Sequence, residues 1–194
     1  MNENWDGDRD PLAALRAGRP GPYEDFVRSE SRRFLAFFDR LGASRSESED
    51  LVQETFLKLF RLAETSHAYR AEGRFLSFAF RVARNAWIDR RRRAAHRPAE
   101  ASGGDDAETV FDRTAGAFEA PYERAETREE SQLVQAAVGA LPEGHRLVFE
   151  LGVVEERPYA EISEILDIPV GTVKSRMHNA VRKVRAALEG GAEA

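Results

Sequence analysis

The sequence contains no cysteine. This excludes disulfide bonds and cysteine metal ligands, and it fits a reducing compartment. No run of about 18 apolar residues is present, so we expect neither a transmembrane helix nor direct insertion into a membrane. The acidic start, MNENWDGDRDPLAAL, lacks the basic and apolar segments of a secretory signal, and we therefore expect a cytoplasmic protein.

Strand patterning is also scarce. Val, Ile and Thr seldom alternate with polar residues, whereas Ala, Leu, Arg and Glu dominate, and this predicts an all-α fold. Apolar residues at helical spacing predict three helices in the first half, at residues 23–41, 46–63 and 75–93. We expect Gly42 to end the first helix, and Ser46 with Glu49 to cap the start of the second. The apolar positions expected to face inward on the second helix are Leu51, Val52, Phe56, Leu59, Phe60 and Leu62.

The second half also reads as helical. Its predicted helices cover about 122–140, 143–153 and 158–166, and a last helix follows a break at 167–170. The pattern predicts two small helical domains joined by a flexible acidic linker. The expected boundaries are a disordered tail at 1–20, a first domain at 21–95, a linker at 96–121 and a second domain at 122–190.

Charge is segregated along the chain. The formal net charge is −5, yet residues 81–97 hold seven Arg and one Asp. Residues 170–188 hold five Lys or Arg and no acid, whereas residues 98–130 hold ten acids against three Arg. Two basic helices separated by an acidic segment therefore describe the chain better than its net charge does.

The segment PYAEISEILDIPVGTVKSRMHNAVRKVR has the form of a helix-turn-helix, with a short helix, a tight turn and a longer basic helix. Val173, Met177 and Val181 are spaced four apart and predict the buried side of the last helix. The side chains expected opposite them, facing a major groove, are Lys174, Ser175, His178 and Asn179. Arg176, Arg182 and Lys183 are suited to phosphates, and Thr172, near the helix start, can cap the helix or donate to a phosphate. The alternative is an amphipathic helix with a solvated basic face.

Two strings in the first half also combine charge with helical spacing. In SESEDLVQETFLKLFR a polar stripe lies opposite the apolar face, and it consists of Asp50, Gln53, Glu54, Lys58 and Arg61. In GRFLSFAFRVARNAWIDRRRR, Arg residues mix with aromatic residues, a combination that can hold phosphates and stack on unpaired bases. From the residues alone, a solvated helix face explains the first string equally well. For the second string, the residues alone slightly favour core packing of Phe78, Val82 and Trp87 with a solvent-facing Arg run.

The chain contains DLVQETFLKLFR, FRVARNAWIDRRRR and, about 80 residues later, VGTVKSR. Together these three strings resemble the second and fourth conserved regions of bacterial sigma factors. The arrangement is similar to that of the extracytoplasmic-function (ECF) group and covers about residues 22–95 and 122–188. The resemblance implies a protein that binds core RNA polymerase and promoter DNA, and that is held by an anti-sigma factor. It implies no cofactor and no metal.

The resemblance also implies residue roles. The residues expected to bind the β′ clamp helices of core polymerase are Asp50, Gln53, Glu54 and Lys58. Those expected at the −10 element are Tyr69, Arg70, Arg81, Arg84, Asn85, Arg90 and Arg91. Those expected at the −35 element are Thr172, Lys174, Ser175, Arg176, His178, Asn179 and Arg182. The linker allows the two domains to pack together in the free protein, so we expect the protein alone to bind DNA weakly.

Two other classes compete with this interpretation. A stand-alone helix-turn-helix transcription regulator would share the C-terminal motif, but nothing in that class requires SEDLVQETF. A metal-dependent nuclease using Asp105, Asp106 and Glu108 would need a preorganised site, whereas these acids lie in a Gly-rich segment. The four histidines show no ligand spacing either. We therefore expect no enzymatic activity.

Overall fold

The computed structural model describes residues 10–65, 74–95 and 133–191, and the regular structure within these ranges is helical. The helices of the first half are α1 (Pro11–Arg16), α2 (Gly21–Leu41), α3 (Arg45–Thr65) and α4 (Phe75–Ala95). Those of the second half are α5 (residues 133–139), α6 (Glu143–Phe149), a π-helical turn (Glu150–Val154), α7 (Tyr159–Leu166) and α8 (Val170–Gly191). The all-α prediction with two helical regions is confirmed. The predicted loop with Tyr69 and Arg70, and the linker at 96–121, lie outside the described residues.

Aromatic side chains dominate the core of the first half. Phe26 and Phe34 of α2 are completely buried. From α4, Phe80 stacks on Phe34 with ring centroids 4.8 Å apart, and Phe75 meets Phe26 edge-on at 4.7 Å. Aromatic pairs in these geometries add to the energy of burial, so they fix α4 against α2.

Helix α1 contradicts part of the predicted disordered tail at 1–20, because residues 11–16 are helical, whereas residues 1–9 lie outside the described ranges. Asp10 caps the helix, and its Oδ1 accepts hydrogen bonds from the backbone N–H of Leu12 at 3.0 Å and of Ala13 at 3.1 Å. The Leu12 side chain is completely buried in the core. Arg16 Nε donates to the Ala63 carbonyl at 3.1 Å and so attaches the helix to the end of α3. These contacts stabilise a helix too short to show periodicity in the sequence.

The turn between α2 and α3 begins at the predicted residue, Gly42, but the residues that cap the start of α3 are not the predicted ones. Gly42 ends α2 in the left-handed region with φ 96°, as expected. The capping box is formed by Ser44 and Glu47, not by Ser46 and Glu49. The Ser44 N–H donates to Glu47 Oε2 at 3.0 Å, and the Glu47 N–H donates to Ser44 Oγ at 3.3 Å. Both pairs have the same spacing, and the position of the chain reversal selects the earlier one.

Two predicted inward residues prove to be exposed, namely Phe60 at 38% and Val181 at 37%. The buried side of α8 instead consists of Val173, Met177, Ala180 and Val184. Each step of four residues advances about 40° past a full turn, so three apolar residues spaced by four drift off one face. The observed steps of four, three and four residues stay on a single face.

Helix α6 does not continue as an α-helix to about Val153, as predicted. It changes into the π-helical turn, which the Glu155 N–H closes by donating to the Glu150 carbonyl at 2.9 Å. Gly152 lies in this turn. A Cβ atom at this position would lie 2.3 Å from Met177 Cε of α8, so a larger residue here would require the flexible end of the Met177 side chain to move.

The two halves of the chain pack against each other. One apolar cluster contains the core of α2, α3 and α4 and also buried residues of the second half, namely Leu147, Val148, Leu151, Ile162, Ile165, Leu166, Val173 and Met177. A smaller cluster lies within the second half, where α5 and α6 meet α8. The structure therefore shows the closed arrangement that the linker allows.

Candidate nucleic-acid interface

The turn between α7 and α8 fixes the angle at which α8 leaves the fold. Asp167 ends α7 in the left-handed region with φ 52°. The Ile168 N–H then donates to the Ser163 carbonyl at 3.2 Å, and Ser163 Oγ donates to the Ile168 carbonyl at 2.6 Å. Pro169 follows, and its carbonyl accepts from Thr172 N–H at 2.8 Å in the first turn of α8. This is a helix-turn-helix with a short, hydrogen-bonded turn.

The side of α8 opposite its buried face is exposed. Lys174, Ser175 and His178 are exposed, and Asn179 is half-buried. Ser175 Oγ donates to the Thr172 carbonyl at 3.0 Å, a bond that leaves the hydroxyl lone pairs available. These side chains include donors and acceptors of the kind that read base edges. The structure thus brings these predicted −35 residues together on one surface.

A second group of cations lies where α6 meets α8. Arg176 is half-buried beside α6, and a Cβ atom on Gly144 would lie 3.0 Å from its Nη1. Burial lowers the pKa of His145 below its ordinary value, and the positive charges of Lys183 and Arg176 lower it further. This environment therefore favours the uncharged form of His145. Sequence reasoning considered His145 only as a possible metal ligand and therefore did not place it in this group.

The polar stripe of α3 surrounds a shallow groove with an apolar centre. The residues that line it are Asp50, Gln53, Glu54, Leu57, Lys58 and Arg61. Leu57 is 54% exposed, and sequence reasoning did not single it out. Lys58 Nζ lies 2.8 Å from Glu54 Oε1, so these two charges of the rim pair with each other. An exposed Leu inside a charged rim can dock against another helix.

The predicted −10 residues of α4 separate into two groups. Arg81 and Asn85 are exposed, and the Arg81 guanidinium lies 5.3 Å from the centre of the Phe78 ring. Arg84 is partly buried, and its Nη2 donates to the Leu166 carbonyl of α7 at 3.1 Å. Arg81 and Asn85 are thus accessible to DNA, whereas Arg84 is engaged by the second half of the chain.

The Arg run at the end of α4 lies beside the acidic residues of α3. Arg90 Nε is 3.4 Å from Glu47 Oε1, and Arg90 Nη1 is 3.5 Å from Asp50 Oδ2. Arg91 is exposed, and its guanidinium lies 5.6 Å from the Trp87 ring centre. Arg90 is predicted to contact the −10 element, and Asp50 is predicted to contact the polymerase. In the structure these two residues form an ion pair with each other.

Other kinds of site find no support in the described ranges. No group of three or more His, Asp or Glu side chains in residues 10–65, 74–95 and 133–191 is placed to hold a metal ion. The acids of the rival nuclease interpretation, Asp105, Asp106 and Glu108, lie outside these ranges. Across the same part of the chain, no helix has the length and apolarity needed to span a membrane.

Two solved structures share this fold, and the second is described as the sigma factor RpoE. CnrH in complex with the cytosolic domain of CnrY aligns with a TM-score of 0.67 and 20% identity, over 95% of this chain and 99% of that chain. RpoE from Bartonella quintana in complex with the anti-sigma factor NepR aligns with a TM-score of 0.61 and 19% identity, over 86% and 98% of the two chains. At this identity the likeness establishes the fold.

Sequence comparison identifies the family. Residues 26–97 match the family described as Sigma-70 region 2, and residues 131–184 match Sigma-70, region 4. ECF RNA polymerase sigma factor SigL of Mycobacterium tuberculosis is 33% identical over 154 residues, which are 77% of this chain and 79% of SigL. ECF RNA polymerase sigma factor SigW of Bacillus subtilis is 28% identical over 180 residues, which are 91% of this chain and 94% of SigW. The chain therefore belongs to the ECF RNA polymerase sigma factors.

Proposed function

We propose that this sigma factor binds core RNA polymerase through the groove of α3, recognises the −10 element through α4 and recognises the −35 element through α8. The observation that carries the proposal is the exposed face of α8, where Lys174, Ser175 and His178 follow a tight helix-turn-helix turn without an intervening acid. A helix presented in this way fits a major groove.

The proposed partners follow from the same surfaces. Leu57 and the charged rim of α3 offer an apolar contact with flanking charges, which suits a helical target such as the β′ clamp helices. CnrH and RpoE were solved with CnrY and with the anti-sigma factor NepR, and we include an anti-sigma factor of this kind among the partners. The protein would act in the cytoplasm, where the polymerase works, without catalysing a reaction of its own.

Transcription from a promoter library with core polymerase tests the function. With the protein present, we expect defined RNA 5′ ends preceded by shared elements about 10 and 35 base pairs upstream. Core polymerase alone is the control. A stand-alone regulator would produce no protein-dependent starts and would bind specific duplex DNA tightly by itself, and that result would contradict the proposal.

Paired variants test the residue roles. We expect Lys174→Ala to reduce transcription several-fold and to weaken discrimination at one −35 position by about 1–3 kcal/mol, since a base contact is lost. Asn85→Ala should instead reduce discrimination at the −10 element. Each variant is the control for the other on promoters mutated in one element at a time. Equal effects of both variants on both elements would contradict the assignment.

A further inference from the structure

Three basic side chains meet at one edge of α8. Arg176 and Lys183 are seven residues apart, so they lie on the same side of the helix, about 20° apart around its axis and about 10 Å apart along it. The third is His145 in the first turn of α6, on which the charges of Lys183 and Arg176 both act. These three residues are here called the seam cluster, because they lie where α6 packs against α8.

Arg176 lies against the backbone of α6. A Cβ atom on Gly144 would lie 3.0 Å from Arg176 Nη1, 3.2 Å from its Cζ and 3.6 Å from its Nε. A side chain at position 144 would therefore displace the guanidinium, whereas glycine allows it to contact the first turn of α6. This contact brings Arg176 to the residue that directly precedes His145.

The seam cluster has no acceptor of its own. Within the described parts of the chain, none of its three side chains forms a hydrogen bond or an ion pair. Residues 170–188 hold no acid, and α5, which packs against α6 and α8, has no charged residue at positions 133–139. A half-buried guanidinium without an acceptor is unfavourable, because its donors lose water without gaining a partner. An anion at this place would supply the missing acceptors.

The pKa of His145 depends on its burial and on α8. Burial lowers this pKa most, and the charges of Lys183 and then Arg176 lower it further. Four other charged side chains around α6 are engaged elsewhere, namely Glu143 with the Trp87 indole N–H, Arg91 with the Trp87 ring, Arg146 with the Leu41 carbonyl and Arg40 with Glu150. The protonation of His145 therefore responds to whatever offsets the two cations of α8.

The position of the seam cluster suits the wall of a major groove. The groove is about 12 Å wide and a helix with its side chains is about 10–12 Å across, so the edges of a bound helix lie against the phosphates. Arg176 follows Ser175 of the exposed α8 face by one residue, which is about 100° around the axis. The cluster therefore faces a phosphate backbone when that exposed face points into the groove.

We propose that His145, Arg176 and Lys183 together hold the phosphate backbone of one strand of the −35 duplex, and that His145 gains a proton when this backbone binds. The inference rests on the proposed function for the placement of α8 in a major groove, and it adds a residue of α6, outside the helix-turn-helix, to that interface. A phosphate beside His145 offsets the charges of Lys183 and Arg176, which favours the protonated imidazole and a charge-assisted hydrogen bond. Binding is then coupled to proton uptake, so the affinity rises as the pH falls.

The pH dependence of −35 duplex binding by the full-length chain tests the proposal. The wild-type chain and His145→Gln should agree within about twofold at about pH 8, where the imidazole is neutral, and the wild type should bind at least about fivefold more tightly at about pH 6. The contribution of His178 is common to both proteins and cancels in this ratio. A ratio that stays constant across this pH range would overturn the proposal.

His145→Arg supplies a fixed charge at the same place. We expect its affinity at about pH 8 to exceed that of the wild type several-fold, and its pH dependence to match that of His145→Gln. Circular dichroism checks that both variants keep the helical content of the wild type. Weaker binding by a folded His145→Arg variant at this pH would contradict a phosphate beside this residue.

Lys183→Gln and Arg185→Gln separate the two edges of α8. Both residues are exposed cations, but Arg185 is nine residues after Arg176 and so lies about 180° around the axis, on the opposite edge. Because Lys183 lowers the pKa of His145 in the free chain, Lys183→Gln should take up fewer protons on binding and show a shallower pH dependence. Arg185→Gln should keep the pH dependence of the wild type. The same change in both variants would contradict the seam cluster.

Failure of the proposed function would give a different result. A wild-type chain that produced no protein-dependent starts with core polymerase and did not bind the −35 duplex would reject the proposed function, and this inference with it. Wild-type binding together with a constant ratio to His145→Gln would reject only the role of the seam cluster.

Discussion

Arg146 joins the two halves through the end of α2. Its Nη1 donates to the Leu41 carbonyl at 2.7 Å, and its Nη2 donates to the Leu141 carbonyl at 3.0 Å. The first of these carbonyls lies in the last turn of α2, where no helical partner is available. Gly42 allows the approach, because a Cβ atom there would lie 3.1 Å from Arg146 Nη1.

Gly42→Ala tests this residue-scale contact. We expect the free energy of unfolding to fall by about 1–2 kcal/mol, since a left-handed φ strains any residue with a Cβ atom and Arg146 must also move. Chemical denaturation monitored by circular dichroism measures the change. Gly21→Ala is the control: a Cβ atom there meets nothing within 4 Å, and we expect no loss of stability. An equal loss in both variants would contradict the explanation.

At the scale of elements, α3 and α4 form a charged pair of helices. Glu47 belongs to the capping box of α3 and also contacts α4. It accepts a hydrogen bond from the Ser44 backbone and forms an ion pair with Arg90. The hydrogen bond from the Ser44 backbone lowers the pKa of Glu47, and the charge of Arg90 lowers it further. A carboxyl with a lowered pKa in the folded state stabilises the fold above its ordinary pKa, and this contribution disappears as the pH falls through the lowered value.

Glu47→Gln should therefore reduce the acid sensitivity of the protein. Between about pH 5 and pH 3 the wild-type chain should lose more stability than the variant, because only the wild-type chain must protonate Glu47. Thermal unfolding at a series of pH values measures the difference. Glu49→Gln removes the same charge from the first turns of α3 without touching the capping box, and it serves as the control. Parallel pH curves for Glu47→Gln and the wild-type chain would count against this role.

The distribution of charge matters more for the whole molecule than its net value of −5. Residues 170–188 carry no acid, and four of the five cations in this segment, Lys174, Arg182, Lys183 and Arg185, are exposed to solvent even though the halves are closed. Arg182 is one of these exposed cations, and its Nη2 donates to Asn179 Oδ1 at 3.2 Å. A phosphate contact from such a side chain releases counterions on binding, which makes the affinity depend on salt.

The salt dependence of −35 duplex binding tests the placement of Arg182. The logarithm of the affinity of the full-length chain should fall linearly with the logarithm of the salt concentration. For Arg182→Ala the slope should be smaller by about 0.9, the value for one phosphate contact. Arg28→Ala, at a position 73% exposed in α2, should leave the slope unchanged. Identical slopes for all three proteins would contradict a phosphate contact.

Features that depend on neighbouring residues could be predicted from the sequence. Apolar spacing and turn residues predicted the cores of α2, α3 and α4, the end of α2 at Gly42, and the short helix, turn and basic helix in the second half. Each of these is local, because a helix and its caps depend on residues a few positions apart. The placement of Lys174, Ser175 and His178 on one exposed face follows from that same period.

Features that join distant residues became visible only in the folded chain. Arg40 meets Glu150 across 110 positions of the chain, and no local pattern encodes such a pair. No local pattern predicts α1 either, because its Leu12 is buried only through packing against the core of the first half. Arg90 likewise turns to the acids of α3 because the packing of two helices places them together. Periodicity specifies which side of a helix is apolar, whereas the neighbour that covers that side is chosen by packing over the whole molecule.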